Sequence, residues 1–260
     1  MKPGNLLVFT DLDGTLLEHD GYSWDKARTA LVCLHESGVP TIPVSSKTLA
    51  ELEVLAELIG FNGPIVGENG CVIRFPDCEI DIAPPGYERI CTFLEDCRIR
   101  DGYQFTGFAD MSVEAVTEST GLSFEEAALA KQRLASEPLL WQDSAARLQA
   151  FKLQAEHAGL VTLHGGRFLH LLGNTNKGEA LNSITEWYRG QGYAIKQTIA
   201  LGDSDNDRLM LEAADVPIII RKPDKSHITL EERTDALLSS KPGPAGWNEM
   251  ILQQLDTIRS

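Results

Sequence analysis

The sequence predicts an α/β protein in which a Rossmann-like parallel-sheet core is interrupted by an inserted mixed α/β domain. Three observations carry this expectation. Short apolar strands alternate with amphipathic helices from residue 5 to residue 66, the rhythm breaks between Cys71 and Pro84-Pro85-Gly86, and it returns after Gly173. The core is therefore expected to be discontinuous, residues 1–83 and 173–260, with the insert at 84–172.

Residues 5–10 form an apolar first strand. A helix follows over 25–37, with Ala27, Leu31 and Leu34 at helical spacing and Gly38 as its stop. A strand at 39–44, a helix at 48–59 closed by Gly60, and a short buried strand at 64–66 complete the first run. Residues 71–82 then read as a hairpin, and Pro84, Pro85 and Gly86 mark a boundary. Inside the insert a helix is expected near 87–96, and Ser123 with Glu126 makes a capping box ahead of Phe124, Ala127, Ala130 and Leu134. A further helix at 145–158 carries Leu148, Phe151 and Ala155 on one face, and strands at 160–163 and 167–172 meet at His164-Gly165-Gly166 as a hairpin. The final run is a helix at 177–188, a strand at 198–201, a helix at 205–214 and a strand at 216–220. No internal repeat or low-complexity tract interrupts it.

Composition excludes several function classes. With 43% hydrophobic and 23% charged residues over 260 positions the chain reads as an ordinary soluble protein, and no apolar run is long enough to span a bilayer. Its first ten residues lack the basic region, long apolar stretch and cleavage site of a signal peptide, so cytoplasmic residence is expected. The cysteines (Cys33, Cys71, Cys78, Cys91, Cys97) are odd in number, scattered and never in a CxxC pattern, which indicates neither a disulfide framework nor a zinc site. A net charge of −15 repels nucleic acid at long range. An anionic substrate must then be drawn in locally, by a cation and a few lysines or arginines.

The residues that carry chemistry sit just after strands or at helix starts. Asp11-Leu12-Asp13-Gly14-Thr15 follows the first strand, at the end where open α/β sheets bind ligands. One carboxylate there can attack phosphorus, and a second two residues on can protonate the leaving oxygen and then activate water. Together they can hold Mg2+, a hard cation satisfied by oxygen ligands. Alone, the motif also reads as a solvated acidic turn. Ser45-Ser46-Lys47-Thr48 opens a helix after the second strand, a natural place for phosphate oxygens although such residues are also ordinary caps. Lys177 stands at another helix start, where an ammonium could neutralise phosphate and orient Asp11. Gly202-Asp203-Ser204-Asp205-Asn206-Asp207 follows the strand at 198–201, and acids crowded this closely suggest a metal.

In this order, with an insertion between the second and third, the four segments resemble the four motifs of the haloacid dehalogenase superfamily over nearly the whole chain. The resemblance implies that Asp11 is the nucleophile, Asp13 the general acid and base, and Ser45 and Lys177 phosphate contacts. It implies Mg2+ held by Asp11, Asp203 and the Asp13 main-chain carbonyl, with Asn206 in support and Asp207 as support or occasional ligand. The insert resembles the mixed α/β cap of the Cof-like branch, which supplies substrate contacts and excludes bulk water.

Finer patterns narrow the substrate. Val44-Ser45-Ser46-Lys47-Thr48, Glu68-Asn69, Lys131-Gln132-Arg133 with Ser136-Glu137-Pro138, Gly166-Arg167-Phe168-Leu169-His170 and Pro242-Gly243-Pro244-Ala245-Gly246-Trp247-Asn248 look like the mannosyl-3-phosphoglycerate phosphatase family. That substrate carries a carboxylate as well as a phosphate, so Ser46, Lys47, Asn69, Lys131, Arg133 and Arg167 are the expected substrate contacts, a guanidinium fork suiting a carboxylate. His170 reads as a packed strand histidine or a ligand, and Trp247 as an anchor for the C-terminal helix. The implied partner is a small anionic phosphorylated molecule, not a nucleic acid or a membrane, with the chain a monomer or homodimer. Three alternatives stand beside this: a phosphatase of other small sugar phosphates, a phosphohexomutase with the same aspartyl chemistry, and a noncatalytic ligand-binding protein.

Overall fold

The computed structural model describes residues 5–18, 21–165, 167–231 and 233–259. Along the chain run β1 (Leu6–Thr10), α1 (Arg28–Glu36), β2 (Thr41–Pro43), α2 (Leu49–Ile59), β3 (Ile65–Gly67), β4 (Val72–Arg74) and β5 (Ile80–Ile82). Next come α3 (Tyr87–Asp101), β6 (Phe105–Gly107), α4 (Val113–Thr120), α5 (Phe124–Ala130), β7 (Ser136–Trp141), α6 (Ala145–His157), β8 (Leu160–Gly165) and β9 (Phe168–Gly173). The chain ends with α7 (Lys177–Gly190), β10 (Gln197–Gly202), α8 (Arg208–Ala213), β11 (Val216–Arg221), β12 (Leu237–Pro242) and α9 (Gly243–Arg259). Among the described residues no helix is long and apolar enough to cross a membrane. Gly166, expected in the turn between β8 and β9, lies outside the described residues, as do residues 1–4.

Contacts group the chain into two compact units. The first, Met1–Ser45, Phe61–Ile65 and Asn176–Ser260, holds a five-stranded sheet in the order β12-β11-β10-β1-β2, parallel at every pairing. Every residue of β1 is buried, which a strand covered on both faces requires and which removes apolar alternation. Within this unit α7 packs on α8 and α1 on α9. The edge strand β12 was not legible in the sequence, because Ser240, Lys241 and Pro242 face solvent and an edge needs no apolar run. The helix expected at 25–37 opens as a single 3-10 turn before α1 begins, and Ala27, Ala30 and Leu34 are its buried residues.

The second unit, Ser46–Gly60 and Val66–Thr175, contains a four-stranded antiparallel sheet in the order β6-β7-β9-β8. Leu139, Leu169 and Leu171 on one face join Ile90 and Leu94 of α3 and Phe151 and Ala155 of α6 in one apolar cluster. Phe108, Val116, Ala127 and Ala130 form a smaller one with α4 and α5. Three elements, β6, α4 and β7, are not among those expected; β7 contains Pro138, which argues against a central strand, yet it pairs with both β6 and β9. Residues 46–60 and 66–83 group with the insert, on the other side of the expected boundary at 84. The bonds account for this. Glu68 accepts the Leu134 and Ala135 amides at 2.8 and 3.0 Å and the Ser136 hydroxyl at 2.7 Å, and Thr48 donates to the Leu129 carbonyl at 3.0 Å.

His170 is buried opposite Pro138 and Leu163 in the second sheet. Burial first, then the charges of Arg133 and His164, push its pKa down from 6.5 to about 3, so the folded protein holds it neutral. A folded value below the unfolded one means that its contribution is complete above pH 6.5 and is lost as pH falls from there toward 3. Unfolding titrations at pH 7 and 4.5 should show wild type losing about 2–3 kcal/mol more than His170→Asn over that interval. Equal losses would show that the imidazole is not held neutral.

Candidate active site

The parallel register of the first unit brings three loops to one edge. Thr10 lies opposite both Leu201 and Pro43, so β1, β2 and β10 end level with one another. Just beyond, the Asp11 amide donates to the Leu201 carbonyl at 2.9 Å and the Val44 amide to the Thr10 carbonyl at 2.8 Å. Asp11, Ser45 and Asp203 therefore emerge side by side from the C-terminal ends of their strands, all buried. The turn after Asp11 closes through Gly14, at φ +82°, and returns at Leu17, whose amide reaches the Leu12 carbonyl at 2.8 Å. Asp13 stands half-buried in that turn.

Lys177 is the first residue of α7 and its side chain has no exposure. Asn176 caps the helix, its Oδ1 accepting from the Gly178 and Glu179 amides at 2.9 and 3.1 Å. The ammonium donates to Asp11 Oδ1 at 2.7 Å and to Asp207 Oδ1 at 2.6 Å. The other oxygen of Asp207 accepts the Asp203 and Ser204 amides, each at 3.1 Å, so this one carboxylate fixes both the lysine and the acidic loop. Gly202 makes this possible, because a Cβ there would lie 2.5 Å from the Cβ of Asp207.

Asp11, Asp203 and Asp207 bring carboxylate oxygens within 4.8 Å of one another. Burial, then the negative charge of Asp207, raises the Asp11 carboxyl well above its ordinary range, against the pull of Lys177. Burial works against the Lys177 ammonium too, but Asp11 and Asp207 outweigh it and hold it charged. Among the described residues these three buried carboxylates outnumber the one buried ammonium beside them, and Lys222 lies 3.9 Å from Asp203. Hard oxygen donors with surplus negative charge fit a divalent cation such as Mg2+. Asp11, Asp203 and Asp207 are the side chains that could hold it.

Of the remaining residues expected at the site, Asn206 is in the same loop as Asp203, where its Oδ1 accepts from the Ser204 hydroxyl at 2.5 Å. Ser46, Lys47, Asn69, Lys131, Arg133 and Arg167 belong to the second unit. There Lys131 donates to the Phe108 and Met111 carbonyls, and Arg167 to the Ser119 carbonyl at 2.5 Å. Arg133 differs. It is 8% exposed, donates to the Ser46 carbonyl at 3.0 Å and the Ser136 hydroxyl at 3.4 Å, and keeps a buried Nε without a hydrogen-bond partner. Among the described residues no carboxylate pairs with it. The sequence reading did not single out Thr15, whose hydroxyl lies 3.5 Å from Asp203 Oδ1, although its place in the Asp11 motif was a signal. Thr10 and the buried carboxylate of Glu68 also gain partners that only the folded chain reveals.

The charge pattern makes a stability prediction. Replacing Lys177 by Met leaves three repelling carboxylates and should cost about 3–5 kcal/mol in metal-free denaturant unfolding. Asp203→Asn removes one of those charges and should leave stability within about 1 kcal/mol of wild type. Comparable losses in the two variants would contradict the charge balance described above.

Comparison with known proteins agrees with this geometry. A family model described as haloacid dehalogenase-like hydrolase matches residues 8–83 and 151–228. The chain is 39% identical to the glucosyl-3-phosphoglycerate/mannosyl-3-phosphoglycerate phosphatase of Methanococcoides burtonii, covering 95% of this chain and 96% of that protein. It is 33% identical to the protein of the same name from Persephonella marina, covering 97% and 98%. A crystal structure from Thermoplasma acidophilum, 20% identical, superposes with a TM-score of 0.71 over 95% of this chain and 96% of that one, a likeness of fold. The chain thus belongs to the haloacid dehalogenase-like hydrolase family, as a phosphoric monoester hydrolase.

Proposed function

We propose that this phosphatase is Mg2+-dependent, works through an aspartyl-phosphate on Asp11, and acts on a glycosyl 3-phosphoglycerate, the mannosyl or glucosyl compound. The observation that carries the reading is the Asp11 carboxylate held by the buried Lys177 ammonium beside Asp203 and Asp207. In this reading Asp11 attacks phosphorus as the ester P–O bond breaks, and Asp13 gives its proton to the departing oxygen. Asp13 then takes a proton from water as that water attacks the acyl phosphate, which releases inorganic phosphate and restores Asp11. Lys177 keeps the attacking carboxylate in one orientation and offsets charge on the phosphoryl oxygens, and Ser45 contributes a hydroxyl to them. Mg2+, held by Asp11, Asp203 and the Asp13 main-chain carbonyl with Asp207 close by, would supply the positive field that a chain of net charge −15 otherwise lacks.

The two relatives' names support the glycosyl phosphoglycerate assignment and leave both sugars within it. Arg133 is the proposed contact for the glycerate carboxylate, since a buried guanidinium calls for an anion. Lys131 and Arg167, also expected there, are engaged with main-chain carbonyls and are weaker candidates. Residues 84–172 are proposed as the specificity cap, and cytoplasmic residence as a monomer or homodimer goes with the same reading.

Phosphate release and sugar isomerisation, measured with Mg2+ on a panel that includes both glycosyl phosphoglycerates, simple sugar phosphates and an aryl phosphate, test this. Release should be fastest with a glycosyl phosphoglycerate, and Asp11→Asn should lose about a thousandfold or more while remaining folded. Arg133→Met should raise KM for the glycosyl phosphoglycerate at least about tenfold and leave the aryl phosphate within about threefold. An active Asp11→Asn, or isomerised sugar in place of free phosphate, would overturn the proposal.

A further inference from the structure

The C-terminal segment Gly243-Pro244-Ala245-Gly246-Trp247-Asn248 has no part in the chemistry described so far, yet it lies behind the nucleophile. Trp247 is fully buried and heads the chain's largest buried side chains. Its indole N–H donates to Thr10 Oγ1 at 2.9 Å, and the Thr10 hydroxyl lies 2.7 Å from the Asp11 carbonyl oxygen. The direction of these bonds is fixed by chemistry. An indole nitrogen can only donate, so Thr10 Oγ1 accepts from it and turns its own hydrogen to Asp11.

Three further features place the segment, against α1, against β12 and beside the turn after Asp11. Asn248 Oδ1 accepts the Ala30 amide of α1 at 2.9 Å. A Cβ on Gly246 would lie 2.1 Å from the Lys241 carbonyl oxygen, so only glycine allows the start of α9 to turn this tightly beside β12. A Cβ on Gly243 would lie 3.8 Å from the Gly14 carbonyl, which places the helix start beside the Asp11–Thr15 turn.

We propose that Trp247 is a positioning residue for the phosphatase reaction, acting through Thr10 to fix the peptide group of Asp11. The Asp11 amide is already tied to the Leu201 carbonyl, so with the Thr10 hydroxyl on its carbonyl both sides of its Cα are held. The carboxylate then leaves a fixed point toward Lys177, as an in-line attack requires. This inference rests on the proposed role of Asp11.

Trp247→Phe keeps an aromatic ring and deletes the donor, Thr10→Val deletes the hydroxyl at nearly constant shape, and Thr10→Ser restores it. With Mg2+ and an aryl phosphate, kcat in Trp247→Phe and in Thr10→Val should each fall about tenfold with KM within about twofold, and the double variant should be no slower than the worse single one. Thr10→Ser should recover most of the loss. A lower Tm with wild-type kcat, or kcat losses that multiply in the double variant, would overturn the proposal and leave Trp247 a packing residue. Amide exchange of metal-free protein gives a second readout that needs no turnover. Trp247→Phe should exchange about tenfold faster at Asp11, Gly14, Thr15 and Leu17, with β11 amides unchanged. Unchanged exchange at those four, or a rise equal to that in β11, would overturn the positioning role even in an active enzyme. Wild type that releases no phosphate would defeat the reading of Asp11, while the exchange result still decides whether Trp247 holds the loop.

Discussion

Burying an ammonium costs several kcal/mol unless carboxylates compensate it, and Lys177 is compensated twice, by Asp11 and by Asp207. Much of the first unit's local structure follows from meeting that demand. Asp207 must fold back beneath Gly202, which its second oxygen secures by taking the amides of Asp203 and Ser204. The first turn of α7 must sit at the strand ends, and it does so with an Asn176 cap and with Gly178 so close to α8 that a Cβ would lie 2.5 Å from the Leu209 carbonyl oxygen. The adjacency of β1 and β10 then brings Asp11 and Asp203 to the same place.

The same arrangement answers the problem posed by overall charge. A chain of net charge −15 repels anions at a distance, but within about a Debye length the local arrangement governs what binds. At the strand ends the local pattern is one fixed cation among three acids, a donor set matched to a divalent ion. In the second unit it is Arg133, a charge kept from water and given hydroxyl and carbonyl partners.

How much of this could be read in advance depended on range. That Asp11, Lys177 and Asp203 come together was legible because each stands in a short motif directly after an apolar strand or at a helix start, where local pattern suffices. The order of the core elements was legible for the same reason. The bond from Asp207 to Lys177 spans 30 positions and that from Trp247 to Thr10 spans 237, and nothing in periodicity announces either. Glu68 looked like one half of a loop motif, whereas its carboxylate ties residues 66–83 to the insert. Among Lys131, Arg133 and Arg167 the sequence offered no ranking, since which basic group lacks a satisfying partner depends on where the carbonyls of Phe108, Met111 and Ser119 fall. Strands β6, β7 and β12 escaped because they are short, contain proline, or lie exposed at an edge.

On the proposed mechanism the Asp11 carboxylate becomes covalently phosphorylated. Rapid acid quench of the enzyme with labelled substrate and Mg2+, followed by peptide mass spectrometry, would detect that species. A single phosphoryl group on the peptide bearing Asp11, present before free phosphate accumulates and absent in Asp11→Asn, is the expected result. Phosphate release with the label on another residue, or undiminished release from a protein lacking the Asp11 carboxylate, would contradict it.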